Sequence, residues 1–315
     1  MHSESEDKHR FRQGWSPLSS PRMLSDRLAT LAQRALIHEA ASSPKPGLVT
    51  SIDRGAHHDM DFGSFVASAL ALGPFFKQAA TIGTKLHREP PEECLEVLRS
   101  AGREAESSME EATGGVNAHR GAIFSMGLAV AAVSRTVSLG EIPHGEAVAK
   151  AAGSFVAGIV ERELTPLLLR HEEPLSAGER LFVSMGVDGI RGEAERGFPS
   201  ALVALSRLKS YPDPLSSSAM CDALLSVLAS GNDTNVLSRG GKERMIYLAE
   251  AAEEALRLGC MKTSEGRRKV AAMERYCLDN WVSPGGSADM LALAVFLVLV
   301  EREWPASSTS YPCTP

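Results

Sequence analysis

Aromatic residues and paired cysteines are scarce in this 315-residue chain. Aromatics make up only 5% of the residues, so small aliphatic side chains have to fill the core. The cysteines are odd in number, widely separated and never spaced as CxxC, which argues against a disulfide framework and a thiolate zinc site. They are Cys94, Cys221, Cys260, Cys277 and Cys313. A reducing, cytoplasmic setting is therefore predicted.

Long runs of basic or of apolar residues are also missing. The net charge is −6, and without a basic face the chain is not expected to bind nucleic acid. The most apolar run, Met290 to Val300, is far shorter than the roughly 20 residues that span a membrane. The first 15 residues carry charges of both signs and no apolar stretch, so they do not read as a signal peptide. No membrane partner is predicted.

Several common catalytic signatures do not occur. There is no GxxxxGK[ST] phosphate loop, no GxGxxG after a strand, no GxSxG and no HExxH. Kinase and dehydrogenase machinery of the usual form is therefore disfavoured. Neither an alternating strand pattern nor a repeat of 20–50 residues is present.

What is present is helical periodicity. One stripe over residues 62–80 includes Phe65 and Phe76 and is interrupted by Gly73-Pro74, where a kink is predicted. Residues 121–134 are apolar nearly all round, which indicates a central helix. Ser25 and Ser287 are plausible N-caps of the first and last helices.

These patterns predict an all-α fold. The prediction is a single globular multi-helix domain over residues 23–304, with an active-site cleft lined by glycine-rich loops. Residues 1–22 are interpreted as a disordered tail because they are polar and contain two prolines. Residues 305–315 form a similar C-terminal tail.

The first glycine-containing polar segment is residues 43–62. Lys45 stands between two prolines and would be presented from a rigid turn. His57, Asp59 and Asp61 follow just ahead of a helix, where two carboxylates two residues apart can both reach one Mg²⁺. Helix capping by Asp59 or Asp61 is an equally good explanation.

The second segment is residues 111–124. Gly114 and Gly115 would end one helix, and Asn117, His119 and Arg120 stand just before the next. Side chains and backbone amides at such a helix start can bind an anion. An ordinary helix–turn–helix with Asn117 as N-cap is the alternative.

Two further segments lie at residues 186–199 and 230–241. The first contains four glycines, too many for a stable helix start, so a ligand-binding loop carrying Arg191, Glu193 and Glu195 is predicted. A simple Arg191–Glu195 pair on a helix face is its alternative. In the second segment, polar side chains could hydrogen-bond ribose or Mg²⁺-bound water, and a guanidinium could bind phosphate. The alternative is a helix end at Gly231 followed by a polar turn. Its candidates are Asp233, Asn235 and Arg239. Residues 283–289 are interpreted mainly as a helix start.

Taken together, these strings resemble the triphosphoribosyl-dephospho-CoA synthases associated with citrate lyase and malonate decarboxylase. The strings, in order, are PKPGLV at 44–49, GAHHDMD at 55–61, ATGGVNAHRGAIF at 112–124, GIRGEAERGFP at 189–199, DTN at 233–235 and SPGGSADMLAL at 283–293. The chain departs from the family at Thr50, where an acidic residue is frequent and Asp53 follows, and at Ala118, where threonine is common.

The resemblance implies transfer of the triphosphoribosyl group of ATP to a ribose hydroxyl of 3′-dephospho-CoA, with release of adenine. The product would be a prosthetic-group precursor, passed to an acyl-carrier-protein holo-synthase. On this hypothesis Asp59 and Asp61 bind Mg²⁺, and Glu193 or Glu195 is the base or stabilises the transition state. The phosphates would meet Lys45, His57, His119, Arg120, Arg191 and Arg239, beside Gly114 and Gly115. Ribose or base would meet Asn117, Asp233 and Asn235.

Two other functions remain open at this point. One is a Mg²⁺-dependent nucleotide N-glycoside hydrolase that uses water in place of dephospho-CoA. The other is a non-catalytic helical module that binds a nucleotide or CoA. A homodimer is also open, because the apolar helices at 121–134 and 290–300 could extend into an interface.

Overall fold

The computed structural model describes residues 20–169 and 174–305, and within these ranges it contains helices and no strand. The all-α prediction is thereby confirmed. The thirteen α-helices of this part of the chain are α1 (Pro21–Ala41), α2 (Phe62–Ala71), α3 (Gly73–Lys85), α4 (Glu93–Thr113), α5 (Arg120–Ser138), α6 (Gly145–Phe155), α7 (Ala177–Met185), α8 (Gly189–Glu195), α9 (Pro199–Lys209), α10 (Ser217–Leu228), α11 (Thr234–Arg257), α12 (Ser264–Asn280) and α13 (Gly285–Glu303).

The first and last helices both begin earlier than predicted. Ser20 caps α1, where its Oγ accepts a 3.3 Å hydrogen bond from the Met23 amide, and Pro21 occupies the first turn. Ser25 is therefore a buried residue inside α1, and its prediction as N-cap is wrong. Helix α13 begins at Gly285, so Ser287 lies in its first turn and is not the cap either. The predicted tail to residue 22 gives way to helix at Pro21, and residues 1–19 and 306–315 lie outside the described residues.

The main core is built where α5 meets α3, and where α13 meets α1 and α9. Helices α3 and α5 approach closely because Gly83 carries no side chain: a Cβ there would lie 2.1 Å from the Ala131 carbonyl oxygen. The predicted interruption near Gly73-Pro74 is confirmed, since α2 and α3 are separate helices that meet at an angle of 40°. The core thus consists of small residues and aliphatics at short interhelical distances.

The two apolar helices are central to this core. Helix α5 is long and apolar enough to cross a membrane by length and composition, but 72% of its apolar window is buried inside the protein. This burial is the pattern of a core helix in a soluble protein. Residues 290–300 of α13 are likewise all buried within the chain. Neither helix leaves an apolar face for a second subunit, so the homodimer stays a prediction without support from them.

A smaller second core joins α10, α11 and α12. Cys221, Cys260 and Cys277 lie in it, and Cys94 lies in the main core; all four are buried and free. Cys313 lies outside the described residues.

The segment at 186–199 is not the continuous loop that its glycines predicted. Helix α8 occupies Gly189–Glu195, and the left-handed glycines stand at its borders. Gly186 (φ 72°) ends α7, and Gly197 (φ 77°) follows α8. Gly186 and Gly197 therefore follow helix C-termini, a usual place for left-handed glycine, whereas Gly189 begins α8 and Gly192 lies inside it.

Candidate active site

One large cavity, of about 1080 Å³, opens among the helix starts. Its lining includes residues of all four glycine-containing polar segments and of the segment 283–289. A cavity of this size is at the upper end of the range for small-molecule sites and has room for more than one nucleotide-sized ligand.

Eleven of the fifteen site residues predicted from the sequence line this cavity. They are Lys45, His57, Asp59, Asn117, His119, Arg120, Arg191, Glu193, Asp233, Asn235 and Arg239. The other four, Asp61, Gly114, Gly115 and Glu195, do not line it. Gly114 and Gly115 have positive φ and end α4, with open space around them, so their place is that of a helix C-cap.

The lining divides into two sets by exposure. We call the buried residues, together with the half-buried Asp289 whose charge they influence, the cavity floor; it consists of Glu39, Lys45, His119, Asp233 and Asp289. We call the exposed or half-exposed set the cavity rim; it consists of Asp59, Arg103, Arg120, Arg191 and Arg239.

A buried ion pair lies in the floor. The Lys45 Nζ donates to Glu39 Oε1 at 2.5 Å and to the Glu39 carbonyl oxygen at 2.6 Å. The two side chains are 1% and 4% exposed, so their charges are compensated almost wholly by each other. Lys45 is thus committed to Glu39 and adds little free positive charge for a phosphate.

His119 is buried against α2. Its Nδ1 lies 2.7 Å from Ser68 Oγ, and the Phe65 ring meets it edge-on with centroids 5.0 Å apart. Burial, and then the charge of Lys45, lowers the pKa of His119 to about 3. The ring is therefore neutral at physiological pH and acts as a hydrogen-bonding group, which corrects its predicted role as a phosphate-neutralising cation.

Asp233 connects two helix starts in the floor. Its Oδ1 accepts from the Asn235 and Val236 amides at the N-terminus of α11. Its Oδ2 accepts from the Ser287 amide at 2.6 Å and from the Ser287 hydroxyl at 2.8 Å. Burial raises the pKa of Asp233 in spite of these donors. Asp233 is the N-cap of α11, a role that was not predicted from the sequence, and it lines the cavity as well.

The two glutamates of α8 point to different places. Glu193 lines the cavity, accepts from the Ser200 amide at 2.7 Å, and has a pKa raised by burial. Glu195 faces the other side, where it accepts from the Gly158 and Val160 amides. Glu195 thus holds the chain after α6 and is not placed to meet a ligand in the cavity, contrary to its prediction as a catalytic candidate.

The arginines of the rim differ in their partners. Arg191 contacts Glu163 at 3.2 Å and Glu179 at 3.3 Å, which replaces the Arg191–Glu195 pair considered as an alternative. Arg120 contacts Glu106 at 3.2 Å and Glu110 at 2.7 Å. Arg103 and Arg239 have no carboxylate partner within residues 20–169 and 174–305.

Arg103 and Arg239 are therefore the rim guanidiniums with the greatest capacity to accept a phosphate. The Oδ1 of Asn117 accepts a 3.0 Å hydrogen bond from the Arg120 amide, but the N-cap of α5 is His119, so the alternative prediction of Asn117 as N-cap is wrong.

Asp59 and Asp61 separate in the structure. Asp61 caps α2 in a capping box with Ser64 and contacts Arg54 at 3.1 Å, and its carboxylate is outside the cavity lining. The Ser64 amide, as the main cause, lowers the pKa of Asp61. Asp59 lines the cavity with a side chain that is 64% exposed.

Asp59 contacts His57, whose Nδ1 is 3.7 Å from Asp59 Oδ1. Burial, and then the charge of Arg239, lower the pKa of His57, which favours the neutral ring at pH 7.

The acidic residues of the site could supply only one or two ligands to a metal ion. Among the residues that the structure describes, no group of three or more His, Cys, Asp or Glu side chains is arranged to hold a metal. Mg²⁺ that arrives with a triphosphate needs only one or two protein carboxylates. Asp59 can supply one, while Asp61 is occupied by its helix cap.

Sequence analysis missed two acidic residues near the cavity. Asp289 lines the cavity from α13, within a segment interpreted only as a helix start. Glu274 of α12 accepts from the Gly47 amide at 3.1 Å behind the PKPGLV segment, and burial raises its pKa to about 7. Helical periodicity could not identify either residue, because both belong to ordinary helices. They become candidates only because helices distant in the sequence pack around them.

Helix starts, arginines and carboxylates around one large cavity are typical of a helical protein with a binding site for a large polar ligand. Sequence comparison gives the family: residues 25–308 match the family described as ATP:dephospho-CoA triphosphoribosyl transferase, and the chain belongs to this family of transferases.

A solved structure from Archaeoglobus fulgidus, named as a triphosphoribosyl-dephospho-CoA synthase, is 20% identical with a TM-score of 0.46. It covers 76% of this chain and 99% of its own. The family assignment rests on the family match, because this structural similarity is low.

Proposed function

We propose that the cavity transfers the triphosphoribosyl group of ATP to a ribose hydroxyl of 3′-dephospho-CoA and releases adenine. The observation that carries the proposal is the convergence of five separate polar segments on one cavity of about 1080 Å³. ATP and dephospho-CoA both carry a nucleoside and a charged phosphate tail, so a shared cavity needs the arginines, the carboxylates and the room that this one has.

The rim would hold the triphosphate. Arg103 and Arg239 have no carboxylate partner in the described part of the chain, and Arg120 and Arg191 can exchange a carboxylate contact for a phosphate contact. Mg²⁺, carried by ATP and bound in part by Asp59, would neutralise phosphate charge in this region. The cations and the metal therefore fix the tail, while the bond to be broken lies deeper.

The floor and α8 would surround the ribose. Breaking the bond between ribose and adenine builds positive charge at the anomeric carbon, which nearby carboxylates stabilise. Glu193 lines the cavity with a raised pKa, and it is the better base of the two glutamates because Glu195 is engaged elsewhere. Asn117, Asp233 and Asn235 would bind ribose or base.

The cellular role follows from the same proposal. The product would be the precursor of a prosthetic group and would pass to an acyl-carrier-protein holo-synthase of a citrate lyase or malonate decarboxylase system. A cytoplasmic location agrees with the four free, buried cysteines of the described residues.

Mass spectrometry of a reaction with ATP, Mg²⁺ and 3′-dephospho-CoA tests the proposal. We expect free adenine and a dephospho-CoA derivative heavier by one triphosphoribosyl group, in equal amounts. Adenine release from ATP alone at the same rate would indicate a hydrolase. Binding of both nucleotides by calorimetry with no product would indicate a non-catalytic module, and either outcome would contradict the proposal.

A further inference from the structure

Asp289 is unlike the other acidic residues of the cavity. Glu39 is paired with Lys45, Asp233 has four donors, and Glu193 has the Ser200 amide. The remaining acidic residues of the lining contact histidine or arginine; they are Asp59, Glu106, Glu163 and Asp188. The half-buried carboxyl group of Asp289 has no hydrogen bond or ion pair within the described ranges.

The fold keeps space for this carboxyl group. Asp289 Oδ2 reaches α5 at Gly121, where a Cβ would lie only 2.0 Å from that oxygen. Any larger residue at position 121 would therefore displace Asp289. A small apolar side chain at position 289 could have filled this space. The presence of a carboxyl group there therefore indicates a functional role for it.

A second unsatisfied group lies two residues from Gly121. His119 is 3% exposed and lines the same cavity, and its Nε2 is buried without a hydrogen-bond partner in the described part of the chain. Its other nitrogen is fixed by Ser68. A half-buried carboxyl group and a buried ring nitrogen thus line one cavity without a partner in the described ranges, and a purine base presents ring nitrogens and an amino group that could bind both.

We propose, on the basis of the proposed function above, that Asp289 donates the proton that adenine needs to leave, and that His119 binds the same base. The Asp289 O–H bond breaks and its proton passes to an adenine ring nitrogen, while the electron pair of the C1′–N9 bond stays with adenine. The dephospho-CoA hydroxyl oxygen bonds to C1′, and its proton passes to Glu193. Asp289 then takes a proton from water and Glu193 returns one, so no net proton is lost.

The electrostatics of the floor agree with a proton donor. The charges of Glu39 in α1 and of Asp233 at the start of α11 act on Asp289, and the ammonium of Lys45 is paired with Glu39. Burial, and then the charges of Glu39 and Asp233, raise the pKa of Asp289 well above its ordinary value of 3.8. A carboxyl group with a raised pKa is the usual general acid of glycosidic bond cleavage.

The test uses Asp289→Asn, which keeps the size of the side chain but cannot give up a proton. With ATP we expect kcat to fall about 10²- to 10⁴-fold, while the calorimetric Kd for ATP stays within about threefold. With 2-fluoro-ATP, whose electron-poor purine needs less protonation, the loss should be at least about tenfold smaller. Asp279→Asn, an exposed acid of α12 outside the cavity, is the matched control and should behave as wild type.

Three outcomes would overturn the assignment: activity of Asp289→Asn within about threefold of wild type, an equal loss with both nucleotides, or a loss of ATP binding. If Asp289→Asn does not fold, Gly121→Ala is used instead, because it displaces the carboxyl group of Asp289 without removing it. The loss of kcat with ATP is then compared with the loss with 2-fluoro-ATP in the same way. A wild-type enzyme that makes no product would instead refute the proposed function itself, before any variant is compared.

Discussion

The floor and the rim of the cavity hold their charges in different ways. In the floor, Lys45 and Glu39 are almost fully buried and compensate each other, and burial shifts the pKa of His119, Asp233 and Asp289. In the rim, the charges face solvent, and Arg120 and Arg191 contact carboxylates that are exposed or half-exposed. Because burial, and not the number of charges, separates the two sets, the floor is suited to proton chemistry and the rim to holding phosphate.

The largest expected effect comes from breaking the buried ion pair of the floor. Lys45→Met leaves Glu39 buried without its partner, so we expect the free energy of unfolding to fall by about 3–5 kcal/mol. Urea unfolding followed by circular dichroism measures this change. Lys85→Met, at an exposed lysine near the end of α3, is the control and should lose far less. Equal losses in the two variants would mean that burial does not govern the floor.

A second test concerns the pH dependence of the floor. His119 has a pKa of about 3 in the folded protein and an ordinary value of 6.5, so the unfolded chain binds the proton more readily. Stability contributed by the neutral ring is therefore lost as pH falls below 6.5. Between pH 7 and pH 5 the wild type should lose about 2 kcal/mol more than His119→Gln, measured by urea unfolding at both pH values. Parallel losses would show that His119 protonates freely in the folded state.

Substitution of a rim arginine should have a smaller effect, a rise in KM for ATP that becomes weaker at high salt. Arg239→Gln removes one phosphate contact, so we expect KM for ATP to rise roughly fivefold, about 1 kcal/mol, with little change in kcat. Steady-state kinetics at low and at high salt measure it, and the ratio should shrink at high salt because exposed charges are screened. Arg257→Gln, on α11 outside the cavity, is the control. A fall in kcat without a rise in KM would place Arg239 in the chemical step instead.

The smallest effect is expected at Asp61, just outside the rim. Asp61→Asn preserves a side chain that caps helices well, so kcat and KM should stay within about twofold of wild type, and the Mg²⁺ concentration for half-maximal rate should not change. Asp59→Asn, two residues earlier and inside the cavity lining, is the comparison and should need more Mg²⁺. The assignment of Asp61 to helix capping would be wrong if the two variants responded to Mg²⁺ alike.

The sequence predicted the helices and the polar segments better than the contacts between them. Apolar periodicity located α5 and α13 because a buried helix has to be apolar on every side. Glycines at 186–199 were misleading, because a glycine that ends a helix and a glycine that bends around a ligand look alike in a sequence. Their φ values depend on the neighbouring helices, which spacing does not show.

The roles of individual site residues were harder to predict from the sequence than the helices were. Asp59 and Asp61 have the same chemistry and nearly the same position, yet one lines the cavity and the other caps α2. Asp289 gave no signal, because a carboxylate after SPGGSA reads as part of a helix start. Its environment is made by Gly121 and Glu39, from two other helices, and only the packing of α13 against α1 and α5 brings them together.

The cavity draws its walls from residues as far apart as Glu39 and Ala292. A contiguous fragment much shorter than the described chain therefore lacks part of the cavity lining. The complete site forms only when helices from both ends of the domain pack together. Nucleotide binding is for that reason coupled to the cooperative unfolding of the whole domain, and a saturating ligand should protect distant helices, α1 and α13 included, from proteolysis and hydrogen exchange.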